Sequence, residues 1–233
     1  MPGGTISVVI PCLNERRRVL QTIKKLLGND RIKEIIIVDD GSNEETKEVL
    51  GRLPKEITVL RHEQNLGKSA AMKTGLLWSK GEVVIFVDAD LKNFSQEHLF
   101  ALCEPVEKNF CDMAIGVREK EVVYSRMIAC SAAYGGERAF LRKKLMEKID
   151  IFQNHGYTIE AALNNYFLKE ERVEKVLLMG VSQISKTKKN GLVGLLQSFQ
   201  MTFEVLSSIG WKEFLFQTSM VNKLNYYTPQ ETR

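Results

Sequence analysis

The first half of the chain alternates short apolar runs with segments in which apolar residues recur at helical spacing. Four apolar runs end in polar or turn-forming residues, which is typical of strands buried on both faces. These runs are residues 6–10, 35–38, 57–60 and 83–87. The segments between them predict helices at residues 15–27, 44–50 and 69–77. This alternation predicts an α/β fold with a mostly parallel central sheet flanked by helices.

The second half has a less regular pattern that predicts both strands and helices. The predicted elements are a strand at 113–117, a largely helical segment at 124–149 interrupted at Gly135 and Gly136, a helix at 157–168, a strand within 173–184, a basic turn at 186–191 and a long helix at 192–216. No linker-like segment separates the halves. We therefore expect residues 1–112 and 113–233 to pack as one domain with a helical C-terminal extension.

Composition limits the classes of protein that fit. With 233 residues, 44% of them hydrophobic, the chain can bury one sizeable core, and a net charge of +4 is too small to indicate nucleic-acid binding. The four cysteines lack zinc-ligand spacing, so we expect reduced thiols in a cytoplasmic protein. They are Cys12, Cys103, Cys111 and Cys130. We expect neither a signal peptide nor a membrane span, which would need ~18 apolar residues in a row.

Three polar loops follow three of the predicted strands, at residues 11–15, 39–42 and 88–90. Because ligands of open α/β sheets bind outside the carboxyl ends of the strands, we expect these loops to border one site. Asp88 and Asp90 offer hard carboxylate ligands to Mg²⁺ or Mn²⁺, which would neutralise a diphosphate leaving group. The alternative is a pair of solvated loop acids, which the apolar strand before them disfavours.

Two further segments have both a binding and a structural interpretation. Asp39 or Asp40 would accept hydrogen bonds from a nucleobase or a ribose, but the same segment also predicts a turn with Ser42 as a helix cap. Gly67 would permit close approach to a phosphate, and Lys68 would supply a cation. The spacing is not that of a P-loop, and the absence of Gly-X-Gly-X-X-Gly after the first strand disfavours a dinucleotide site.

Four motifs, in this order and spacing, resemble a known family. They are Ile6-Ser-Val-Val-Ile-Pro-Cys-Leu-Asn-Glu15, Ile37-Val-Asp-Asp-Gly-Ser42, Asn65-Leu-Gly-Lys-Ser-Ala-Ala71 and Val87-Asp-Ala-Asp90. Over residues 5–95 the chain resembles family 2 glycosyltransferases of the GT-A fold, in the branch that includes dolichol-phosphate mannose synthase. The resemblance implies a Rossmann-like sheet, a UDP- or GDP-linked sugar donor and a divalent cation.

The resemblance, together with the loop chemistry, gives a set of expected donor-binding residues. They are Pro11, Asn14, Glu15, Asp39, Asp40, Gly67, Lys68 and Asp88. Asp88 and Asp90 are the expected metal ligands, with Asp90 acting in catalysis through the metal and His155 as a further candidate ligand. One departure is Lys92, which stands where this branch often has a glutamine ligand. Water, another side chain or the lysine itself would fill that place.

The acceptor is expected in the second half, where Gly135-Gly-Glu-Arg-Ala-Phe140 and Gly156-Tyr-Thr-Ile-Glu160 resemble family segments. Expected acceptor contacts are Arg118, Gly136, Glu137 and Arg138. The resemblance implies inversion by in-line displacement. A saccharide hydroxyl would need a general base, for which Glu160 is the first candidate and Glu137 the second. A polyprenyl phosphate needs no base, and basic residues would then bind it. These are Arg118, Arg126, Arg138, Lys186, Lys188 and Lys189.

Several alternatives stay open at this level. Residues 192–216 suit a peripheral contact with the cytoplasmic membrane face, but core packing or a homodimer contact is favoured. The motifs also suit a non-catalytic nucleotide-sugar-binding protein. A sugar-1-phosphate nucleotidyltransferase would need a glycine-rich basic N-terminal loop that is missing from this sequence. A haloacid-dehalogenase-type phosphatase would need its nucleophile after the first strand, with Thr or Val soon after it. Asp88 and Asp90 follow the fourth predicted strand, and Leu91 and Lys92 come next, so this alternative is disfavoured.

Overall fold

The computed structural model of the chain describes residues 4–119, 132–153, 159–183 and 192–228. Its strands are β1 (Ile6–Cys12), β2 (Ile32–Asp39), β3 (Ile57–Arg61), β4 (Val83–Phe86), β5 (Leu91–Lys92), β6 (Met113–Arg118), β7 (Arg138–Leu141), β8 (Val173–Leu178) and β9 (Ser182–Gln183). Its α-helices are α1 (Arg16–Leu26), α2 (Glu44–Gly51), α3 (Lys68–Trp78), α4 (Gln96–Glu107), α5 (Arg142–Glu147), α6 (Ile159–Glu170) and α7 (Leu192–Lys223). Short 3₁₀ helices cover Ala132–Tyr134 and Ile149–Phe152.

The central sheet has seven strands in the order β3-β2-β1-β4-β7-β6-β8, and β5 pairs with β9 separately. β1 to β4 run parallel, β7 runs antiparallel between β4 and β6, and β8 pairs in parallel with β6. The expected mostly parallel sheet flanked by helices is therefore confirmed. Strands from both sides of residue 112 belong to this one sheet.

Strand β7 lies where the sequence pattern predicted a helix. Arg138, Ala139 and Leu141 are good helix formers, so local propensity favours the wrong element. In the structure β7 is hydrogen-bonded to β4 on one edge and to β6 on the other, and Ala139 and Phe140 are completely buried. Pairing on both edges outweighs a propensity difference of less than about 1 kcal/mol per residue.

The two faces of the sheet carry separate apolar layers. Side chains of β1 alternate between them, because Val8 and Ile10 pack with residues of α1 and α4, whereas Val9 packs with residues of α3 and α6. This alternation within the apolar run of residues 8–10 is how a parallel strand is buried on both sides. The sheet edge that carries the polar loops is thereby fixed from both faces.

The C-terminal helix α7 is longer than the predicted segment and breaks at Gly210, where φ is 75°. The part after the break is fixed to the body of the protein. The side-chain amide of Gln217 donates to the carbonyl of Ala161 at 3.1 Å. The buried ammonium group of Lys175 donates to two of the last carbonyls of the helix at 3.1 and 3.2 Å, which ties α7 to β8. Among the described residues, no helix has the length and apolar content to cross a bilayer.

Three of the cysteines are buried free thiols, as expected, and Cys130 lies outside the described residues. Burial raises the pKa of Cys12 and of Cys111 to about 12. Both side chains therefore stay protonated at neutral pH and pack as small apolar groups. Cys12 ends β1 beside the polar loops, and its raised pKa argues against a role as a nucleophile.

We predict that Gly75→Ala destabilises the protein, although alanine is the better helix former. A Cβ atom at this position of α3 would lie 2.2 Å from Cγ1 of Val9. Such overpacking costs about 1–3 kcal/mol, whereas replacing a helical glycine gains at most ~1 kcal/mol. Urea denaturation should show a lower free energy of unfolding. Gly51→Ala is the matched control, because nothing lies within 4 Å of its added Cβ; equal effects would contradict the close packing of α3 on β1.

Candidate functional site

A cleft of about 330 Å³ lies at the carboxyl ends of β1 and β4. It is bordered by the loops that follow β1, β2 and β4 and by residues of α3, α6 and α7. The lining residues are Pro11, Cys12, Leu13, Glu15, Asp40, Asn65, Lys68, Ala71, Asp88, Ala89, Asp90, Arg118, Tyr134, Gly136, Glu160, Ala161 and Val205. The structure thus brings acids and bases from both halves of the chain around one space.

The loop after β1 is tied to the loop after β2 through Asn14. Its backbone N–H donates to the hydroxyl of Ser42 at 2.9 Å, and its side-chain oxygen accepts from the N–H of Asn43 at 2.9 Å. Asn14 is exposed and does not line the cleft, whereas Pro11 and Glu15 do. Asn14 therefore positions this loop, and its contact with a donor stays a prediction.

Asp39 is buried beside the cleft and is not among its lining residues. Its carboxylate accepts from the guanidinium of Arg61 at 2.6 Å and from the backbone N–H of Ser42 at 3.0 Å. The turn interpretation of this segment therefore has direct support, although Asn43 rather than Ser42 caps α2. Contact between Asp39 and a nucleobase stays a prediction, and Arg61 would have to share the carboxylate.

Asp40 lines the cleft and fixes the segment that leads into α3. Its carboxylate accepts from the backbone N–H groups of Leu66 and Gly67 at 2.9 and 2.8 Å and contacts Nδ1 of His62 at 2.7 Å. Gly67 has a φ of 95°, a conformation that favours glycine, and is not a lining residue. Asp40 and Gly67 together set the start of α3 and hence the place of Lys68.

Lys68 connects the two halves of the cleft. Its ammonium nitrogen lies 2.8 Å from Oδ1 of Asp88 and 2.7 Å from Oε1 of Glu160. Burial acts to lower the pKa of Lys68, but the two carboxylates outweigh it and hold that pKa well above its ordinary value. The sequence indicated that Lys68 supplies a cation, but nothing in it indicated the contact with Glu160, 92 residues away.

Asp88 and Asp90 both line the cleft and fit a divalent cation. A Cβ atom at residue 136 would lie 2.6 Å from Oδ2 of Asp88, so any side chain other than that of glycine at this position would collide with the carboxylate. Within the described ranges no group of three His, Cys, Asp or Glu side chains forms a complete metal site. Mg²⁺ is often held by one or two carboxylates with water and substrate phosphates, which suits this pair. His155 lies outside the described residues.

Lys92 is exposed and does not line the cleft. It lies in β5, where it pairs with Ser182 of β9. Lys68 rather than Lys92 contacts Asp88, so the expectation that Lys92 takes over part of the role of the cation is not supported. Lys92 had been suggested by the resemblance, because it stands where this branch often has a glutamine ligand.

The expected acceptor residues divide into two groups. Arg118 and Gly136 line the cleft, whereas Glu137 and Arg138 do not. Glu137 is completely buried, and its Oε1 lies 3.9 Å from Nη1 of Arg118. Glu137 is thus placed to orient Arg118, and burial argues against its direct use as a base.

Arg138 is a core residue, which corrects the expectation that it contacts the acceptor. It is completely buried, and its guanidinium donates to the side-chain oxygen of Asn164 at 2.7 Å. It also donates to the carbonyls of Ala133 at 2.7 Å and Gly135 at 3.1 Å. A buried guanidinium needs such a set of acceptors. Arg138 therefore holds the segment before β7 against α6.

Three of the lining side chains lie outside the loops and motifs that the sequence singled out. They are Tyr134, Ala161 and Val205. Tyr134 stacks on Phe214 of α7, with ring centroids 5.4 Å apart and planes at 10°. Helical periodicity predicted α6 and α7, but it does not show which of their residues face a cleft formed by loops far away in the sequence.

Comparison with known proteins matches most of the chain to a family. Residues 7–162 match the profile described as Glycosyl transferase family 2. The dolichyl-phosphate beta-glucosyltransferase of Dictyostelium discoideum is 34% identical over 165 residues, which is 63% of this chain and 47% of that protein. The undecaprenyl-phosphate 4-deoxy-4-formamido-L-arabinose transferase of Pseudomonas savastanoi pv. phaseolicola is 36% identical over 114 residues, which is 44% of this chain and 34% of that protein. The chain thus spans less than half of the length of these relatives.

Solved structures share the fold. Glucosyl-3-phosphoglycerate synthase from Mycobacterium tuberculosis, crystallised with Mn²⁺, uridine diphosphate and phosphoglyceric acid, superposes with a TM-score of 0.67 and 23% identity. The match covers 88% of this chain and 78% of that chain. The GT-A fold expected from the sequence is therefore confirmed.

We predict that Arg138→Met lowers the free energy of unfolding by about 3 kcal/mol, because the buried oxygens of Asn164 and Gly135 lose their donor. Urea denaturation followed by circular dichroism measures this change. Lys143→Met, at an exposed position of α5, is the control and should stay within ~0.5 kcal/mol of wild type. Wild-type stability combined with weaker acceptor binding in the Arg138 variant would place this residue at the acceptor after all.

Proposed function

This chain belongs to glycosyl transferase family 2, and on that premise we propose that it is an inverting glycosyltransferase whose donor is a UDP- or GDP-linked sugar. The observation that carries this proposal is the single cleft in which Lys68, Asp88, Asp90, Arg118 and Glu160 meet. Two acids beside a lysine suit a diphosphate with its cation, and a nearby arginine suits an anionic acceptor. The family match favours transfer over the nucleotidyltransferase and the purely binding alternatives.

The donor is assigned to the side of the cleft formed by the loops after β1 and β4. Pro11, Glu15, Asp88 and Asp90 line the cleft, and the two aspartates would hold Mg²⁺ or Mn²⁺. The cation, when bound, neutralises the negative charge that builds up on the leaving diphosphate. Lys68 supplies a further positive charge beside Asp88, and this charge also stabilises the negative charge that develops on the leaving diphosphate.

A polyprenyl phosphate is the acceptor class that suits the cleft best. A hydroxyl acceptor would need a base, but the carboxylate of Glu160 is ion-paired with Lys68 at 2.7 Å. A phosphate oxygen needs no deprotonation, and Arg118 offers it a charged donor. Tyr134 and Val205 add apolar surface for a prenyl chain. The names of the two relatives, a dolichyl-phosphate and an undecaprenyl-phosphate enzyme, support this choice.

The proposed reaction is an in-line displacement. An oxygen of the acceptor phosphate attacks the anomeric carbon, the bond between that carbon and the diphosphate oxygen breaks, and the configuration inverts. Arg118 orients the acceptor phosphate, and Glu160 holds Lys68 rather than acting as the base. The products are the glycosyl phosphate and a nucleoside diphosphate, so charge is conserved without proton transfer.

The exposed face of α7 after its break suits contact with a bilayer, where a polyprenyl phosphate resides. Trp211, Leu215 and Phe216 are exposed there at 64%, 52% and 38%, and Lys212 lies beside Trp211. Aromatic and aliphatic side chains next to lysine are typical of helices that lie in a membrane interface. We therefore propose peripheral binding to the cytoplasmic membrane face, with a homodimer contact as the competing use of this surface.

We predict that Asp90→Ala abolishes the stabilisation that a nucleotide sugar gives in the presence of Mn²⁺. At ~100 times Kd, a ligand adds about 2.7 kcal/mol, or roughly 5–10 °C in Tm for a chain of this size. A thermal-shift panel of UDP- and GDP-sugars with and without Mn²⁺ measures this and identifies the nucleotide. Asp150→Asn, at an exposed position, is the control and should behave as wild type. Undiminished stabilisation in the Asp90 variant would remove this residue from the site.

We predict transfer of labelled sugar from the donor so identified into an organic-extractable product when dolichyl or undecaprenyl phosphate is supplied. The product should have the anomeric configuration opposite to that of the donor, since one displacement inverts the centre. Proton NMR of the released sugar phosphate determines this configuration. Transfer to a saccharide in place of the lipid would overturn the acceptor assignment and return Glu160 to the role of base.

We predict that replacing Trp211, Leu215 and Phe216 together by serine weakens binding to phospholipid vesicles by at least about tenfold, because the buried apolar area is lost. Co-sedimentation with phosphatidylethanolamine–phosphatidylglycerol vesicles measures the change. Leu77→Ser with Trp78→Ser is the matched control, because these side chains are as exposed but lie on α3. A dimer of the wild type that dissociates in the triple variant, with no vesicle binding by either, would assign the face to self-association.

A further inference from the structure

The ammonium group of Lys68 occupies a position at which a cation for Asp88 would be expected. It lies 2.8 Å from Oδ1 of Asp88, and its second partner is Glu160 at 2.7 Å. The three side chains are 20%, 17% and 9% exposed, so this ion-pair arrangement is enclosed but still open to the cleft. It joins the start of α3, the loop after β4 and the first turn of α6.

Asp88 has little room to turn away from Lys68. A Cβ atom at Gly136 would lie 2.6 Å from Oδ2 and 2.7 Å from Oδ1 of Asp88, so the carboxylate lies directly against the backbone of this glycine. A divalent cation bound by Asp88 and Asp90 would therefore share one confined carboxylate with an ammonium group. Like charges at such distances repel strongly when they are shielded from water.

We propose that Lys68 couples the binding of the divalent cation to that of the donor diphosphate. In the ligand-free protein Lys68 neutralises Asp88 and disfavours a cation on its own. A diphosphate provides a new anionic partner for the ammonium group, and Lys68 then shifts its contact from Asp88 to a phosphate oxygen. Glu160 keeps the lysine within reach of both positions. This inference rests on the proposed function, because it needs a diphosphate ligand.

Binding of Mn²⁺ to the ligand-free protein tests the coupling without any catalytic readout. Lys68→Met removes the charge but keeps an unbranched apolar side chain, and Lys68→Arg keeps a charge. Mn²⁺ is titrated alone and with saturating UDP or GDP, and the free ion is followed by electron paramagnetic resonance. In the wild type we expect the diphosphate to tighten Mn²⁺ binding by at least about tenfold, within the usual range of coupling between sites.

In Lys68→Met we expect Mn²⁺ alone to bind about tenfold more tightly than in the wild type, and the coupling with the diphosphate to fall by about the same factor. Lys68→Arg should keep weak binding of Mn²⁺ alone. Lys73→Met, on the same helix but not lining the cleft, is the matched control and should behave as wild type. Circular dichroism of each variant establishes that it is folded.

Unchanged or weaker binding of Mn²⁺ alone in Lys68→Met, with the wild-type coupling retained, overturns this inference. In that case the proposed function still stands, because Mn²⁺ and a nucleoside diphosphate bind. Failure of the wild type to bind either nucleotide with Mn²⁺ overturns the proposed function itself, so the two failures are distinguishable. Equal changes in the Lys68→Met and Lys73→Met variants would also count against a specific role for Lys68.

Discussion

One positive charge held between two acids is the interaction on which the arrangement of the cleft depends. Lys68 begins α3, Asp88 follows β4 and Glu160 lies in the first turn of α6, so a single ammonium group joins the strand ends to the second half of the chain. Partly buried charges are costly alone, and this arrangement satisfies each of them with another. The acids can therefore stand close together before any ligand is present.

The sequence predicted those parts of the fold that depend on neighbours in the chain. The mostly apolar runs of β1 to β4 and the polar loops after them can be recognised locally, because strands inside such a sheet are largely apolar. Arg138 and Asp39 were less predictable, since the Arg-Ala-Phe and Asp-Asp-Gly-Ser motifs do not reveal that Asn164 and Arg61 bind these side chains. The same holds for β7, which is determined by its two partner strands.

The wall of the cleft at Arg118 and Gly136 rests on buried polar contacts as well as on apolar packing. Arg138 donates to the side chain of Asn164 and to the carbonyls of residues 133 and 135. The buried carboxylate of Glu137 lies 3.9 Å from the guanidinium of Arg118. Such networks fix the geometry more narrowly than apolar packing does, because hydrogen bonds are directional. Glu137 and Arg138 thus stabilise the wall of the cleft without lining it. A residue that matches a family motif therefore need not contact a ligand.

The break in α7 at Gly210 divides that helix into two parts with different attachments. Lys175 and Gln217 fix the part after the break to β8 and α6, whereas Val205, before the break, borders the cleft. Within α7, the hydrogen bonds of Gln217 and Lys175 involve only residues after the break, so this attachment to α6 and β8 does not use the residues before Gly210. The direction of the helix at Val205, where it borders the cleft, is thereby separated from the direction in which it is anchored to the sheet, since Gly210 interrupts the helix between the two points.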